Sequence, residues 1–170
     1  MPIHVSAPLY ALKRWMYRHG RPGRLARALI RLDVLQFAWG RLVPRRAAVL
    51  EVPGRTSGRT VAVPVVVADH DGGEYLVSML GEEANWVRNV RAAGGRAVLR
   101  RGGRRPVLLQ EVAVAQRAPI LRRYLALAPG ARPHIPVSRR APLESFEAVA
   151  PHHPVFRIHP APSHDPGVRR

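Results

Sequence analysis

The chain has 170 residues and a 46% hydrophobic content, which is enough for one core with modest extensions and argues against a two-domain enzyme. Its 28 basic against 11 acidic residues give a formal charge of +17, so an acidic partner is attracted before specific contacts form. Lys13 is the only lysine, and an arginine excess beside so much Ala, Gly, Val and Pro reads as coding bias, so charge alone identifies no partner. The lack of cysteine excludes disulfides, thiolate metal sites, cysteine nucleophiles and iron–sulfur clusters, and it is compatible with a reducing cytoplasm.

Residues 1–45 read as an N-terminal helical segment, because Leu9, Leu12 and Met16, and then Leu25, Leu29 and Leu32, recur at spacings of three and four. Pro22 and Gly23 separate the two helices. Arg24, Arg27 and Arg31 lie away from the leucines of the second helix, a basic amphipathic pattern suited either to covering a sheet or to resting on an anionic membrane. No apolar run reaches the ~18–20 residues of a membrane span, and the first residues lack a signal-peptide core. The expected location is cytoplasmic, with at most a peripheral contact on the inner face of the membrane.

From Arg46 the pattern changes to short β-branched runs bounded by turn signals, and residues 46–159 read as one β-rich domain. The predicted strands are Ala47 to Val52, Val61 to Ala68, Glu74 to Ser78, Arg96 to Arg101, Val107 to Val114 and Pro154 to Ile158. Asp71-Gly72-Gly73 and Gly102-Gly103 predict two hairpins, and Pro64 predicts an edge or a bulge in the second run. Helices are predicted at Asn85 to Ala93 and at Gln116 to Leu127, the latter with Pro119 in its first turn. Residues 160–170 are polar and Pro-rich and are expected to be a disordered tail. The fold class is therefore α+β, a barrel of about six mainly antiparallel strands preceded by helices.

Two stretches carry chemistry. In Gly54-Arg55-Thr56-Ser57-Gly58-Arg59-Thr60 the glycines let backbone amides turn inward, while two hydroxyls and two guanidiniums complete an anion pocket for phosphate or carboxylate oxygens. The lysine and spacing of a Walker loop are absent. In the second stretch, Ser78-Met79-Leu80-Gly81 runs into a helix start with Asn85, Trp86, Arg88 and Asn89, offering amides and a positive helix end to an anionic or aromatic ligand. Trp86 and Asn89 share a helical face, so the indole is placed either to wall a flat ring or to fill the core. Metal binding is poorly supported, since His152 and His153 are adjacent and the other histidines lack ligand spacing. Hydrolase chemistry lacks a G-x-S-x-G elbow, and Glu82 and Glu83 are not disposed as a glycosidase pair.

These segments resemble the deazaflavin-dependent nitroreductase family, the split-β-barrel deazaflavin oxidoreductases. The matching text is GRTSGRTVAVPVVV at 54–67, YLVSMLGEEANWVRNVRAAGGRAVLRRG at 75–102, RAPILRRYLALAPGARPHIPV at 117–137 and PVFRI at 154–158. The resemblance implies a split barrel that binds coenzyme F-420 (8-hydroxy-5-deazaflavin), whose phosphate and oligoglutamate tail are acidic. It implies that Arg55, Thr56, Ser57 and Arg59 hold the phosphate and ribityl groups and that Ser78, Met79, Leu80 and Gly81 meet the ring. Trp86, Arg88 and Asn89 match the family's W-x-x-N segment and would complete the pocket, and Arg41 and Arg45 would follow the tail.

The implied reaction is hydride transfer to a quinone, an activated alkene or a nitro compound, with Ser78 or Tyr124 as the first candidates for proton donor. The segment after the third strand is shorter than in the nitro-drug-activating members and lacks their His or Tyr before the asparagine, which separates this chain from them. The alternatives are an FMN- or haem-binding split barrel and a non-catalytic basic module on nucleic acid or membrane. No RNP-like strand or helix-turn-helix pattern is present, so no nucleic-acid partner is expected.

Overall fold

The computed structural model describes residues 45–162. The two helices expected near the N-terminus, Arg41 and the end of the expected tail lie outside the described residues. Six strands, β1 (Ala47–Pro53), β2 (Thr60–His70), β3 (Gly73–Val77), β4 (Arg96–Arg100), β5 (Arg104–Glu111) and β6 (Val155–Pro160), close into an antiparallel barrel in the order β1-β2-β3-β6-β5-β4. Three helices accompany them: α1 (Asn85–Ala92), α2 (Arg117–Leu127) and α3 (Leu143–Val149).

The two-residue period of the strands divides the apolar residues between two clusters. Ala48, Leu50 and Val52 of β1, Leu99 of β4, Leu109 of β5 and Phe156 of β6 fill the barrel together with Val87 and Val90 of α1. The opposite face of β2 and β3, through Ala68, Tyr75 and Val77, packs against Ile120, Leu121 and Leu125 of α2 and against Phe146 of α3. Burying a side chain such as Leu50 or Phe156 in the barrel, or Leu121 or Phe146 outside it, contributes about 1.5–3 kcal/mol, so both clusters stabilise this domain.

Both expected hairpins form. The β2–β3 turn carries positive φ at Asp71 (44°) and Gly72 (70°), and the β4–β5 turn at Gly102 (72°). Pro64 sits opposite Val49 in the half of β2 that pairs only with β1, since pairing to β3 begins at Val67, so its missing donor disrupts no ladder.

The fifth strand lies earlier than the expected Val107 to Val114. Arg104 and Arg105 extend it back to the hairpin, where Glu51 and Glu74 accept from them, and a 3-10 turn at Val114–Gln116 ends the extended chain. The sixth strand runs on through His159 and Pro160, two residues past the expected end and into the stretch expected to be disordered.

The end of β1, the start of β2 and the end of β3 share one mouth of the barrel with the start of β4, the end of β5 and the start of β6. Helix α1 plugs that mouth with Val87 and Val90. Among the described residues, no helix is long and apolar enough to cross a membrane.

Candidate functional site

The plugged mouth is where the two sequence stretches meet. The loop Gly54–Arg59 closes on itself through Gly54 N donating to the Arg59 carbonyl at 2.8 Å and Gly58 N donating to the Gly54 carbonyl at 2.8 Å. It is fastened to α1 by Asn89, whose Oδ1 accepts from the Arg55 backbone amide at 3.2 Å and from the Arg55 guanidinium at 3.0 Å. Asn89 is 4% exposed, so this carboxamide is a buried anchor for the loop. Asn85 Oδ1 lies 3.5 Å from both terminal nitrogens of Arg55. Ser57 Oγ accepts from the Arg59 amide, and among the described residues the Thr56 and Ser57 amides donate to no protein acceptor. Thr56, Ser57 and Arg59 are exposed.

The second stretch forms a tight turn between β3 and α1. Gly81 N donates to the Ser78 carbonyl, the buried Ser78 hydroxyl donates to the Gly81 carbonyl at 2.8 Å, and Ser78 N donates to the Pro154 carbonyl at 2.9 Å. Gly81 holds φ +83°, and a Cβ there would stand 3.0 Å from the His152 carbonyl, so glycine is required on both counts. The two middle amides, of Met79 and Leu80, donate to nothing among the described residues, and the Leu80 side chain is 37% exposed. His153, only 6% exposed, places Nδ1 3.0 Å from the Ser78 carbonyl. A carbonyl only accepts, so Nδ1 carries the proton. Burial holds the His153 imidazole below its ordinary value; the bond to Ser78 opposes that effect and neighbouring His152 adds to it.

Charge at this mouth is unevenly compensated. Arg88 pairs with Glu83, and Arg91 pairs with both Glu82 and Glu111 at 2.6 Å. The Arg91 guanidinium beside Glu111, opposed by partial burial, holds that carboxyl below the usual carboxylate range; Arg117 adds to the effect. Buried Arg117 also donates to the carbonyls of Val112 and Ala150, tying β5 to the segment that carries His153. Arg55, by contrast, is held by neutral carboxamide oxygens, which fix its direction without cancelling its charge.

The structure thus brings Arg55 and Asn89 into direct contact and sets the Ser78 turn immediately before the same helix. Trp86 is half-buried, with its ring centroid 5.5 Å from that of Phe156 and the planes tilted by 58°, so part of the indole belongs to the barrel core. Tyr124 stands apart, in the outer cluster between α2 and the barrel wall; it is 4% exposed, and burial pushes its phenol up to about 12. Asn85 and His153 were not expected at the site in these roles. The sequence marks Asn85 as part of a helix start, and nothing in it distinguishes His153 from His152.

Residues 33–141 match the F420H(2)-dependent quinone reductase family. No curated protein matches the chain. Among solved structures, one described as a domain-swapped dimer shares 15% identity over 78% of this chain and 98% of its own, with a TM-score of 0.50. An F420-H2 dependent reductase, FDR-A, shares 20% identity over 70% and 98% with a TM-score of 0.44. An FAD-binding protein from Mesorhizobium loti shares 17% over 77% and 89% with a TM-score of 0.42. At these identities the first of the three supports the barrel fold and nothing finer.

Proposed function

From its place in the F420H(2)-dependent quinone reductase family, to which the chain belongs, we propose that this protein reduces a quinone-class acceptor at the mouth plugged by α1. It is an oxidoreductase, and its coenzyme is F420. The observation that carries the assignment of the site is the donor set. An Arg55 guanidinium aimed by two carboxamides stands beside the Thr56 and Ser57 amides, which have no acceptor among the described residues. Such a set suits a phosphate dianion, which takes several N–H and O–H donors at once. The Met79 and Leu80 amides suit the carbonyl and nitrogen acceptors along the edge of a deazaflavin ring.

When bound, reduced F420 supplies the hydride. The chain's part is to bind and orient. On this reading Arg55, Thr56, Ser57 and Arg59 hold the phosphate arm, the Ser78–Gly81 turn sets the height of the ring, and Trp86 walls its edge. Asn89 acts through Arg55, and Arg88, already paired with Glu83, contributes a partly neutralised charge at the rim. A quinone that takes up one hydride needs one proton to become the hydroquinone. The Ser78 hydroxyl hydrogen is committed to the Gly81 carbonyl and the Tyr124 phenol is buried, so we assign that proton to water at the open rim.

Titrating the full chain into F420 tests the coenzyme site through quenching of its fluorescence, and mixing the loaded protein with a simple naphthoquinone tests the acceptor. Saturable quenching followed by quinone-dependent oxidation of reduced F420 is expected. Absence of saturable binding would overturn the site, and binding without quinone reduction would overturn the acceptor class.

A further inference from the structure

Among the described residues His153 is the only buried histidine, and its bond to the Ser78 carbonyl belongs to a set. Three consecutive residues ahead of β6 hold the turn that follows β3. The His152 carbonyl abuts Gly81, the His153 Nδ1–H donates to the Ser78 carbonyl, and the Pro154 carbonyl accepts from the Ser78 amide. The Ser78 carbonyl also accepts the turn's own bond from Gly81 N, at 3.3 Å against 3.0 Å for the imidazole. The imidazole therefore supplies the shorter of the two bonds that fix this carbonyl. When a peptide carbonyl is fixed, so is the plane of the peptide it belongs to, and the N–H of that peptide is the Met79 amide.

We propose that His153 is a positioning residue for the coenzyme site: by clamping the Ser78 carbonyl it fixes the Ser78–Met79 peptide plane and aims the Met79 amide out of the turn, toward the ring that this mouth receives. The proposal rests on the coenzyme site inferred above, and it assigns a role to a side chain that is itself behind the turn. The segment carrying His153 is anchored in turn. Buried Arg117 donates to the Ala150 carbonyl and to Glu111, and Glu111 accepts from Arg91, which also holds Glu82 at the far end of the same loop. Both ends of the 78–84 stretch are thereby referred to one arginine–glutamate frame.

Two substitutions separate the bond from the bulk of the ring. His153→Asn places an amide N–H near the position of Nδ1 and keeps the donor; His153→Leu keeps most of the volume and removes it. The measurements on the full chain are the dissociation constant for F420 by fluorescence quenching, hydrogen exchange of the 75–84 segment, and the melting temperature. Expected for His153→Leu is a dissociation constant raised about five- to twentyfold with faster exchange in 75–84, as for the loss of one hydrogen bond. His153→Asn is expected to stay within about twofold of wild type in both.

Equal weakening by Leu and Asn, or wild-type binding and exchange in a folded His153→Leu, overturns the proposal. Where His153→Leu fails to fold, His153→Gln replaces it, because its amide sits at the Nε2 position and does not reach Ser78 in the same way. If wild type itself binds no F420, the coenzyme site fails. The exchange comparison between the variants still decides whether His153 holds the turn.

Discussion

Arg55 shows how one side chain is held in a fixed direction with its charge uncancelled. Its guanidinium and its backbone amide both bond Asn89 Oδ1, a residue 34 positions away on another element, so loop and helix are fixed together. On the proposed site, Arg55→Ala would remove a charge-assisted contact to the phosphate while the Arg55 backbone bond to Asn89 stays, so F420 binding should weaken about ten- to a hundredfold while the melting temperature hardly moves. An unchanged dissociation constant by fluorescence titration removes Arg55 from the site. His153 gives a pH-dependent counterpart. Its imidazole is held below the ordinary 6.5, so over the interval between 6.5 and its lower native value the unfolded chain takes up a proton that the native chain refuses. The stability this neutral histidine provides is complete above about pH 6.5 and is lost as pH falls below it. Differential scanning calorimetry at about pH 7.5 and 5.5 should show a smaller drop in melting temperature for His153→Asn than for wild type; equal drops refute the assignment.

At the scale of elements, α2 packs Tyr124 into the cluster outside the barrel. Ile120, Leu121, Tyr124 and Leu125 form the buried stripe of that helix, and Phe146 of α3 joins the same cluster, so the tyrosine ring is packing material on the outside of the barrel. Tyr124→Phe keeps the ring and should leave quinone reduction within about twofold of wild type; loss of turnover with coenzyme binding intact would make Tyr124 the proton donor instead. The elements themselves were largely legible, because β-branched runs broken by Asp71-Gly72 and Gly102-Gly103 state both strands and hairpins. The fifth strand was misplaced because Val112 and Val114 look like strand while Arg104 and Arg105 do not. Their pairing with Glu51 and Glu74 is a tertiary fact that no local window contains. Helix α3 was missed since only Phe146 of its seven residues is buried, which leaves no periodic stripe to read. The sequence marks Asn89 as a candidate for the pocket, but not its contact with Arg55, because that contact joins residues from separate elements.

Over the whole molecule, the formal charge of +17 acts at a distance that no single contact covers. Several carboxylates of the described barrel are each shared by two arginines: Glu51 takes Arg100 and Arg104, Glu74 takes Arg101 and Arg105, and Asp69 takes Arg46 and Arg123, so each trio keeps one net positive charge. These contacts reduce the positive charge of the barrel wall without cancelling it, and among the described residues the side-chain partners of the Arg55 guanidinium are neutral carboxamides. The net positive charge of the whole chain attracts an acidic coenzyme, and dissolved salt screens that attraction over about 10 Å at 0.1 M. Raising the salt from about 0.05 to 0.5 M should weaken F420 binding several-fold, and it should weaken binding of a tail-less analogue less, because the oligoglutamate arm adds negative charge beyond the phosphate. Fluorescence titrations at a series of salt concentrations measure both slopes. Identical slopes for the two ligands would mean that the field acts on the phosphate alone, and flat slopes would mean that the arginine excess has no part in capturing the coenzyme.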